Sequence, residues 1–306
     1  MIRRTRSRRS RALRYGAGTS ALVLLVCALI VGMSALTVAT VGARVSEATA
    51  RAQGEVISAA GRAVEIRWST AGVQRTDTVE LAVPAPPVGA RTEVAYDPRD
   101  PLTVFIPGST ELAAVDRAAS GMAFSGLIAA MVLGTAGWQV ISRRRLRRRP
   151  GCPMPVRRVR VQAGLLTRSW LELDSPPRWI PVHFDPVLVT LPAPAWVQLH
   201  GDPQRRALVA ADVAGTWLYP SGPVRADEPR GRRIDNPARP GPLPTTATYG
   251  WRRQLRADAG LLTTAPVVGL LWTFLDGGSV LTFACATALT ATLALWWAAL
   301  RGSDPT

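Results

Sequence analysis

Two pairs of side chains in this sequence have the types and the spacing that could carry chemistry. Asp97 and Asp100 stand three residues apart in a Pro-containing stretch, and His183 and His200 are the only histidines of the chain. Two carboxylates alone make a poor calcium site, because calcium takes roughly six to eight oxygen ligands. Asp and Pro together instead favour a turn, since Asp accepts backbone N–H groups and Pro fixes φ. We therefore predict a structural turn at the two aspartates.

The histidine pair could hold zinc if neighbouring strands placed the two rings side by side, with Asp185 or Asp202 as a third ligand. The alternative is that each histidine is an ordinary residue of a β-strand with its ring hydrogen-bonded. We favour the second interpretation, and we predict no metal ligand, no cofactor-binding residue and no catalytic residue. A membrane enzyme with a metal site at His183 and His200 stays an alternative hypothesis.

Other signatures of catalysis are missing from the sequence. Residues 44–117 contain no histidine, which excludes a Ser–His pair there. No glycine-rich phosphate loop of the Walker or dinucleotide type occurs. Cys27, Cys152 and Cys285 have no metal-binding spacing, and the first and third fall within apolar runs. These features favour a protein that is not an enzyme.

A block of arginines follows the uncharged run of residues 118–142, which is 25 residues long. A helix needs about 20 residues to cross the roughly 30 Å hydrocarbon core of a bilayer, so this run predicts a transmembrane helix. Short basic flanks stay on the cytoplasmic side, and the block therefore sets the direction of the helix. The predicted membrane-orienting residues are Arg143, Arg144, Arg145, Arg147, Arg148 and Arg149.

The net charge of +16 is distributed in blocks. Residues 1–14 contain seven arginines and no acid, residues 44–117 contain eight arginines and ten acids, and residues 143–257 contain 21 arginines and eight acids. The basic blocks alternate with apolar runs, as membrane orientation requires, whereas a nucleic-acid-binding protein carries its charge over a soluble domain. We predict the lipid bilayer, with anionic headgroups at the basic flanks, as a partner, and no nucleic acid.

Further apolar runs complete the predicted fold, an α+β integral membrane protein with four transmembrane helices. A cleaved signal peptide is the alternative for the first helix. A small antiparallel β-barrel-like domain is predicted outside the membrane, and a β-rich domain in the cytoplasm. The predicted boundaries are a cytoplasmic basic tail at 1–14, helix 1 at 15–43, the extracytoplasmic β-domain at 44–117, helix 2 at 118–142, the cytoplasmic domain at 143–225, a Pro/Gly/Arg linker and juxtamembrane segment at 226–257, a hairpin of helices 3 and 4 at 258–300, and a cytoplasmic tail at 301–306.

The predicted outer domain carries a motif near its end, formed by Tyr96, Asp97, Pro98, Asp100 and Pro101. With the residues before it, this YDPxDP motif resembles a family of bacterial, actinobacterial-type membrane-anchored domains of unknown function. The resemblance implies a small extracytoplasmic β-domain between two transmembrane helices, and it implies no reaction. The matching residues are Gly54, Val56, Trp68, Gly72, Val79, Gly89, Val94, Tyr96, Asp97, Pro98, Asp100 and Pro101.

An internal similarity links the two predicted β-domains. Residues 182–186, Val-His-Phe-Asp-Pro, parallel residues 94–98, Val-Ala-Tyr-Asp-Pro. Each stretch is followed by a predicted strand. The strand that follows residues 182–186 is predicted at residues 187–191. Either the inner domain repeats the outer one, or the few matching positions are a coincidence.

These features together predict a multi-pass protein of the bacterial plasma membrane with both termini in the cytoplasm. Such a protein would work without catalysis, as an envelope scaffold, sensor or interaction protein that binds an unknown protein partner through its β-domains. An accessory subunit of a transporter or channel is an alternative hypothesis. Against it, the predicted helices contain no charged side chain near their centres, which ion-coupled transporters usually need.

Overall fold

The computed structural model describes residues 11–70, 72–101, 103–205, 207–234 and 250–306. Residues 1–10 of the predicted basic tail and residues 235–249 of the predicted linker lie outside the described residues. The chain divides into two compact units, one of residues 1–26 and 130–306 and the other of residues 27–129. Each unit combines helix with antiparallel sheet, which confirms the predicted α+β class.

Among the described residues, four helical stretches are long and apolar enough to cross a membrane, as predicted. The first combines α1 (Arg11–Thr37), a π-helical turn (Val38–Gly42) and α2 (Ala43–Glu47). The second is α3 (Thr110–Arg147).

The other two helical stretches form the predicted hairpin. The third contains α4 (Trp251–Asp258), a 3₁₀ segment (Ala259–Thr263) and α5 (Thr264–Asp276). The fourth is α6 (Val280–Arg301), which ends at Gly302 with a left-handed φ of 73°. Glycine tolerates this conformation, so the chain turns sharply there.

α3 is longer at both ends than the predicted span of residues 118–142. It begins with Glu111 in its first turn, where a carboxylate interacts favourably with the helix dipole. It ends inside the arginine block, whose positive charges suit the last turn for the same reason. The uncharged run therefore marks the apolar part of a longer helix.

The unit of residues 27–129 contains a five-stranded antiparallel sheet in the order β3-β2-β1-β4-β5. Side chains alternate in β2, where Val64, Ile66 and Trp68 are buried, as the sequence pattern predicts. These three side chains belong to the core of the sheet. The strands are β1 (Ala50–Ala60), β2 (Ala63–Thr70), β3 (Val73–Glu80), β4 (Arg91–Tyr96) and β5 (Val104–Phe105).

The two edges of this sheet are joined just beyond its outer strands. Leu81, after β3, forms a bridge with Ser109, after β5. The Ala82 N–H also donates to the Gly108 carbonyl at 2.9 Å. The sheet therefore curls into a half-barrel, which agrees with the predicted barrel-like shape and protects edges that would otherwise be open.

The other unit contains a seven-stranded antiparallel sheet in the order β11-β10-β9-β6-β7-β8, with β12 paired to β6. β6 pairs with β9 through residues 151–156 and with β7 through residues 157–163. Leu171, Ile180 and Leu199 are fully buried in its core. The strands are β6 (Gly151–Ala163), β7 (Leu166–Asp174), β8 (Pro177–Val182), β9 (Ala195–His200), β10 (Ala210–Val213), β11 (Thr216–Leu218) and β12 (Arg232–Ile234).

The end of β8 bonds to the chain that follows β11. The His183 N–H donates to the Tyr219 carbonyl at 2.9 Å, and the Ser221 N–H donates to the Pro181 carbonyl at 3.0 Å. These bonds join the two ends of the strand order, so the second sheet also curls around its core. His183 lies directly after the last residue of β8, where these hydrogen bonds form.

Two predictions for this sheet are wrong in detail. The predicted strand at residues 187–191 is a 3₁₀ helix, Pro186–Thr190. Asp185 accepts the Val187 N–H at 3.1 Å, and proline suits a first helical turn, so this Asp-Pro pair starts a turn of helix. β12 lies in the segment that was predicted as linker. Its sequence Arg-Arg-Ile has no alternating pattern from which a strand could be predicted.

Candidate functional site

The predicted turn motif begins at Tyr96, the last residue of β4. Asp97 Oδ1 accepts the Arg99 N–H at 2.8 Å. Asp100 Oδ2 accepts a hydrogen bond from Thr103 Oγ1 at 3.0 Å. Both carboxylates therefore bond within the turn itself, as expected for a structural role.

The similar stretch of residues 182–186 makes the same local bond. Asp185 Oδ1 accepts the Val187 N–H, two residues on, as Asp97 does with Arg99. Beyond this point the two stretches differ, since one continues to a short strand and the other forms a 3₁₀ helix. The similarity is thus one of turn chemistry.

The two histidines lie in different surroundings. In β9, His200 Nδ1 donates to the Arg149 carbonyl at 2.9 Å, and its ring centroid is 4.5 Å from that of Trp217. His183 is only 6% exposed and lies beside β8. In the part of the chain that the structure describes, no three His, Cys, Asp or Glu side chains are grouped to hold a metal ion.

The arginine block contacts the second sheet. The guanidinium carbon of Arg143 lies 5.1 Å from the ring centroid of Tyr219. Arg147 lies 5.5 Å from the rings of both Trp217 and Tyr219. These are cation–π distances, so two of the predicted orienting residues also pack on the sheet. Arg144, Arg145 and Arg148 are exposed.

Residues 302–306, named here the α6 extension, turn into the second sheet. Asp304 Oδ2 accepts hydrogen bonds from Arg158 at 2.7 Å and from Ser169 Oγ at 2.5 Å. The side chains of Arg158 and Asp304 are 1% and 0% exposed. Arg158 also donates to the Leu188 carbonyl at 3.3 Å. A fully buried ion pair therefore joins β6 to the α6 extension.

A second set of buried hydrogen bonds joins α1 and α4 to the α6 extension. Tyr15 Oη donates to Asp258 Oδ2 at 2.6 Å, and Gln254 Nε2 donates to the same oxygen at 3.2 Å. Gln254 also donates to Ser303 Oγ at 3.0 Å, and Ser303 Oγ in turn donates to Asp258 Oδ1. Because the buried groups satisfy one another, they stabilise this junction instead of opposing it.

Two small cavities adjoin this junction, each with a volume of about 20 Å³, and His183 lines both. Ser20, Gln139 and Arg143 also line the first cavity. Each cavity has room for about one water-sized group. Burial, together with the positive charges of Arg143 and Arg168, lowers the pKa of His183 from 6.5 to about 3. The imidazole is therefore neutral at neutral pH.

Sequence reasoning missed the residues that hold this junction. Arg158 and Asp304 are 146 residues apart, and no local pattern connects them. One signal was available: Asp258 and Asp304 are acids close to the ends of apolar runs that are otherwise flanked by arginine. Orientation alone needs no acid at such positions, since Asp and Glu contribute little to it.

Comparisons of the chain with protein-family models, with curated proteins and with solved structures find no match. The family resemblance of residues 54–101 therefore stays a prediction.

Proposed function

We propose that this chain is a multi-pass protein of the bacterial plasma membrane that acts without catalysis. It is an envelope scaffold, sensor or interaction protein, and its two β-sheets are the parts that bind partners. The sheet of residues 27–129 lies outside the cytoplasm in this proposal, and the sheet of β6–β12 lies in the cytoplasm. Both ends of the sequence are then cytoplasmic.

The observation that carries this proposal is the junction between the second sheet and the helices. The buried pair of Arg158 and Asp304 and the hydrogen bonds around Asp258 fix the sheet to the ends of α1, α4 and α6. A sheet held in this way follows every movement of the helices, whereas a sheet on a flexible linker would not. Such coupling is what a scaffold or sensor requires.

The surface of the helices supports the membrane location. Large apolar side chains are exposed along them, for example Leu127 at 69% and Phe274 at 83%. Exposed apolar surface on this scale needs a lipid or protein covering. The arginine distribution supports the orientation, because short basic flanks stay in the cytoplasm.

Reporter fusions test the proposed orientation. An enzyme that is active only outside the cytoplasm is fused after Val83 in one protein and after Leu199 in another. We expect activity from the first fusion and none from the second. Activity from both fusions, or protease access to both sheets from the same side, would contradict the orientation.

Photo-crosslinking in living cells tests the interaction role. A photoreactive residue replaces Trp196, which is 72% exposed on the second sheet, or Leu199, which is fully buried in it. We expect a discrete adduct from position 196 and none from position 199.

Ion flux in liposomes that contain only this chain would instead favour the transporter hypothesis. One zinc per chain that disappears in His200→Ala would favour the enzyme hypothesis.

A further inference from the structure

The cavity beside His183 lies where three apolar helices reach the second sheet. Its wall includes Ser20 of α1, Thr135 and Gln139 of α3, Trp296 of α6 and His183. It is partly open to the surroundings, and its volume of about 20 Å³ admits one water-sized group. The wall combines hydroxyl, amide and imidazole groups with an apolar side.

His183 brings unused hydrogen-bonding capacity to this cavity. Its backbone N–H donates to the Tyr219 carbonyl, but its ring makes no hydrogen bond to any residue that the structure describes. Only 6% of the residue is exposed. The neutral imidazole carries one N–H donor, and because His183 lines the cavity, a group bound there can accept a hydrogen bond from this N–H.

Arg143 brings a positive charge to the same wall. Its guanidinium donates to Gln139 Oε1 at 3.0 Å and stacks over Tyr219, and both partners are neutral. Within the described part of the chain, Arg143 forms no ion pair with a carboxylate. Among the residues that the structure describes, no carboxylate therefore pairs with the positive charge at the cavity.

We propose that this cavity binds one oxygen of an anionic phosphate group, supplied by the headgroup of a phospholipid of the inner leaflet. Arg143 provides the opposite charge, and the ring N–H of His183 donates to the bound oxygen. The volume fits a single phosphate oxygen, and the rest of the headgroup lies at the open side. The inference rests on the proposed function, because a cytoplasmic location of the arginine end of α3 brings inner-leaflet headgroups to it.

A lipid is favoured over free phosphate by the surface next to the cavity. Trp296 and Leu300 form part of its wall, and α3 exposes apolar side chains just before Arg143, including Val140 and Ile141. Acyl chains can lie against this surface while the phosphate reaches the cavity. Free phosphate would use only the polar part of the wall.

The test measures the phospholipid that stays bound to the full chain. The protein is placed in nanodiscs of phosphatidylglycerol or phosphatidylcholine, extracted in mild detergent and analysed by native mass spectrometry. We expect preferential retention of phosphatidylglycerol. Arg143→Gln should reduce that retention about tenfold, the scale expected for one charge-assisted contact. Arg144→Gln is the matched control, since Arg144 is exposed and does not line the cavity.

A second variant leaves every charged residue unchanged and occupies the cavity with a larger side chain. Gly16 lines the cavity, and an added Cβ there meets no atom within 4 Å, so Gly16→Ala can place a methyl group there without moving the helix backbone. We expect it to lose the lipid as Arg143→Gln does, with an unchanged circular dichroism spectrum. Equal retention of phosphatidylglycerol by the two variants and the Arg144→Gln control would overturn the inference.

Two further measurements distinguish a lipid headgroup from free phosphate, and a failure of this inference from a failure of the proposed orientation. A rise in unfolding temperature with inorganic phosphate, without any effect of phosphatidylglycerol, would overturn the lipid source. Loss of lipid selectivity while the reporter fusions give the expected orientation would overturn this inference alone. An extracytoplasmic signal from the fusion after Leu199 would overturn the proposed orientation and, with it, the inner-leaflet source.

Discussion

At the scale of single residues, the Arg158–Asp304 pair is the contact with the largest expected effect. Asp304→Asn would remove the buried carboxylate charge that Arg158 contacts at 2.7 Å. Breaking one partner of a buried pair typically costs about 3–5 kcal/mol of unfolding free energy. We expect Asp304→Asn to lower the unfolding temperature of the detergent-solubilised protein markedly, as measured by circular dichroism or calorimetry.

The exposed pair of Arg157 and Asp174 provides the control. Its N–O distance is 2.9 Å, close to that of the buried pair, but both side chains are 51% exposed. Exposed ion pairs contribute about 0–1 kcal/mol, so Asp174→Asn should change the unfolding temperature little. Equal losses in the two variants would show that burial of the Arg158–Asp304 pair has no energetic consequence.

His183 makes the stability depend on pH. Its pKa is lowered from 6.5 to about 3 in the folded protein, so the unfolded chain binds a proton in this range that the folded chain does not. The contribution of the neutral imidazole is complete above pH 6.5 and declines as the pH falls toward 3. The nearby charges of Arg143 and Arg168 act in the same direction.

We therefore expect His183→Gln to flatten the fall in unfolding temperature between pH 6.5 and pH 4. Asp185 acts with the opposite sign, because burial raises its pKa and favours the folded state at low pH. His200→Gln is the control, since His200 is partly exposed on the same sheet. A slope that is the same in His183→Gln and the unmodified protein would contradict this prediction.

At the scale of elements, β1 depends on close packing at Gly54. An added Cβ would lie 2.6 Å from Val94 Cγ2 and 2.8 Å from Ile66 Cγ2, both buried in the core of the first sheet. Overpacking of this kind costs about 1–3 kcal/mol. We expect Gly54→Ala to lower the unfolding temperature and to speed proteolysis within residues 50–105.

Gly126→Ala is the control in the same unit. An added Cβ there meets no atom within 4 Å, and alanine is the better helix former. Its unfolding temperature should stay unchanged or rise slightly. If Gly126→Ala destabilises the protein as much as Gly54→Ala, close packing at β1 is not the cause.

The elements themselves were largely predictable from the sequence. Alternation of apolar and polar residues identified β2 and β3 as strands, and long uncharged runs identified the helices. The failures have a local cause. Asp185 and Pro186 start a 3₁₀ helix within an apolar stretch that resembles a strand. β12 contributes three residues that only its pairing with β6 turns into a strand.

The candidate site was predictable only in part. His183 was named with His200 as a possible zinc ligand and interpreted as an ordinary strand residue, whereas its burial and the cavity beside it depend on the packing of α1, α3 and α6. The arginine block was predicted to orient the protein. Its packing on Trp217 and Tyr219 was not predicted. Contacts between residues more than 100 positions apart leave no periodic pattern in a single sequence.

At the scale of the whole molecule, arginine placement is expected to decide orientation. Arg144→Gln, Arg145→Gln and Arg148→Gln together remove three exposed charges at the end of α3 without touching the residues that pack on the sheet. We expect a smaller fraction of correctly oriented molecules, measured with the fusions after Val83 and Leu199, because charges near a helix end act most strongly.

A control protein loses the same charge farther from the helix ends. Arg205, Arg230 and Arg232 are exposed on the second sheet and its following segment, and all three are changed to Gln. Orientation should be unaffected. Equal mixing of orientations in both proteins would show that total charge, not its position, sets the topology.

The Arg158–Asp304 pair has a consequence for how the protein is made. Asp304 leaves the ribosome 146 residues after Arg158, so β6 is synthesised long before its counter-ion exists. The contact between β6 and the α6 extension therefore forms only after α6 has been synthesised. A chain that ends before Asp304 lacks this buried carboxylate, and we expect cellular proteases to degrade it faster than the complete chain.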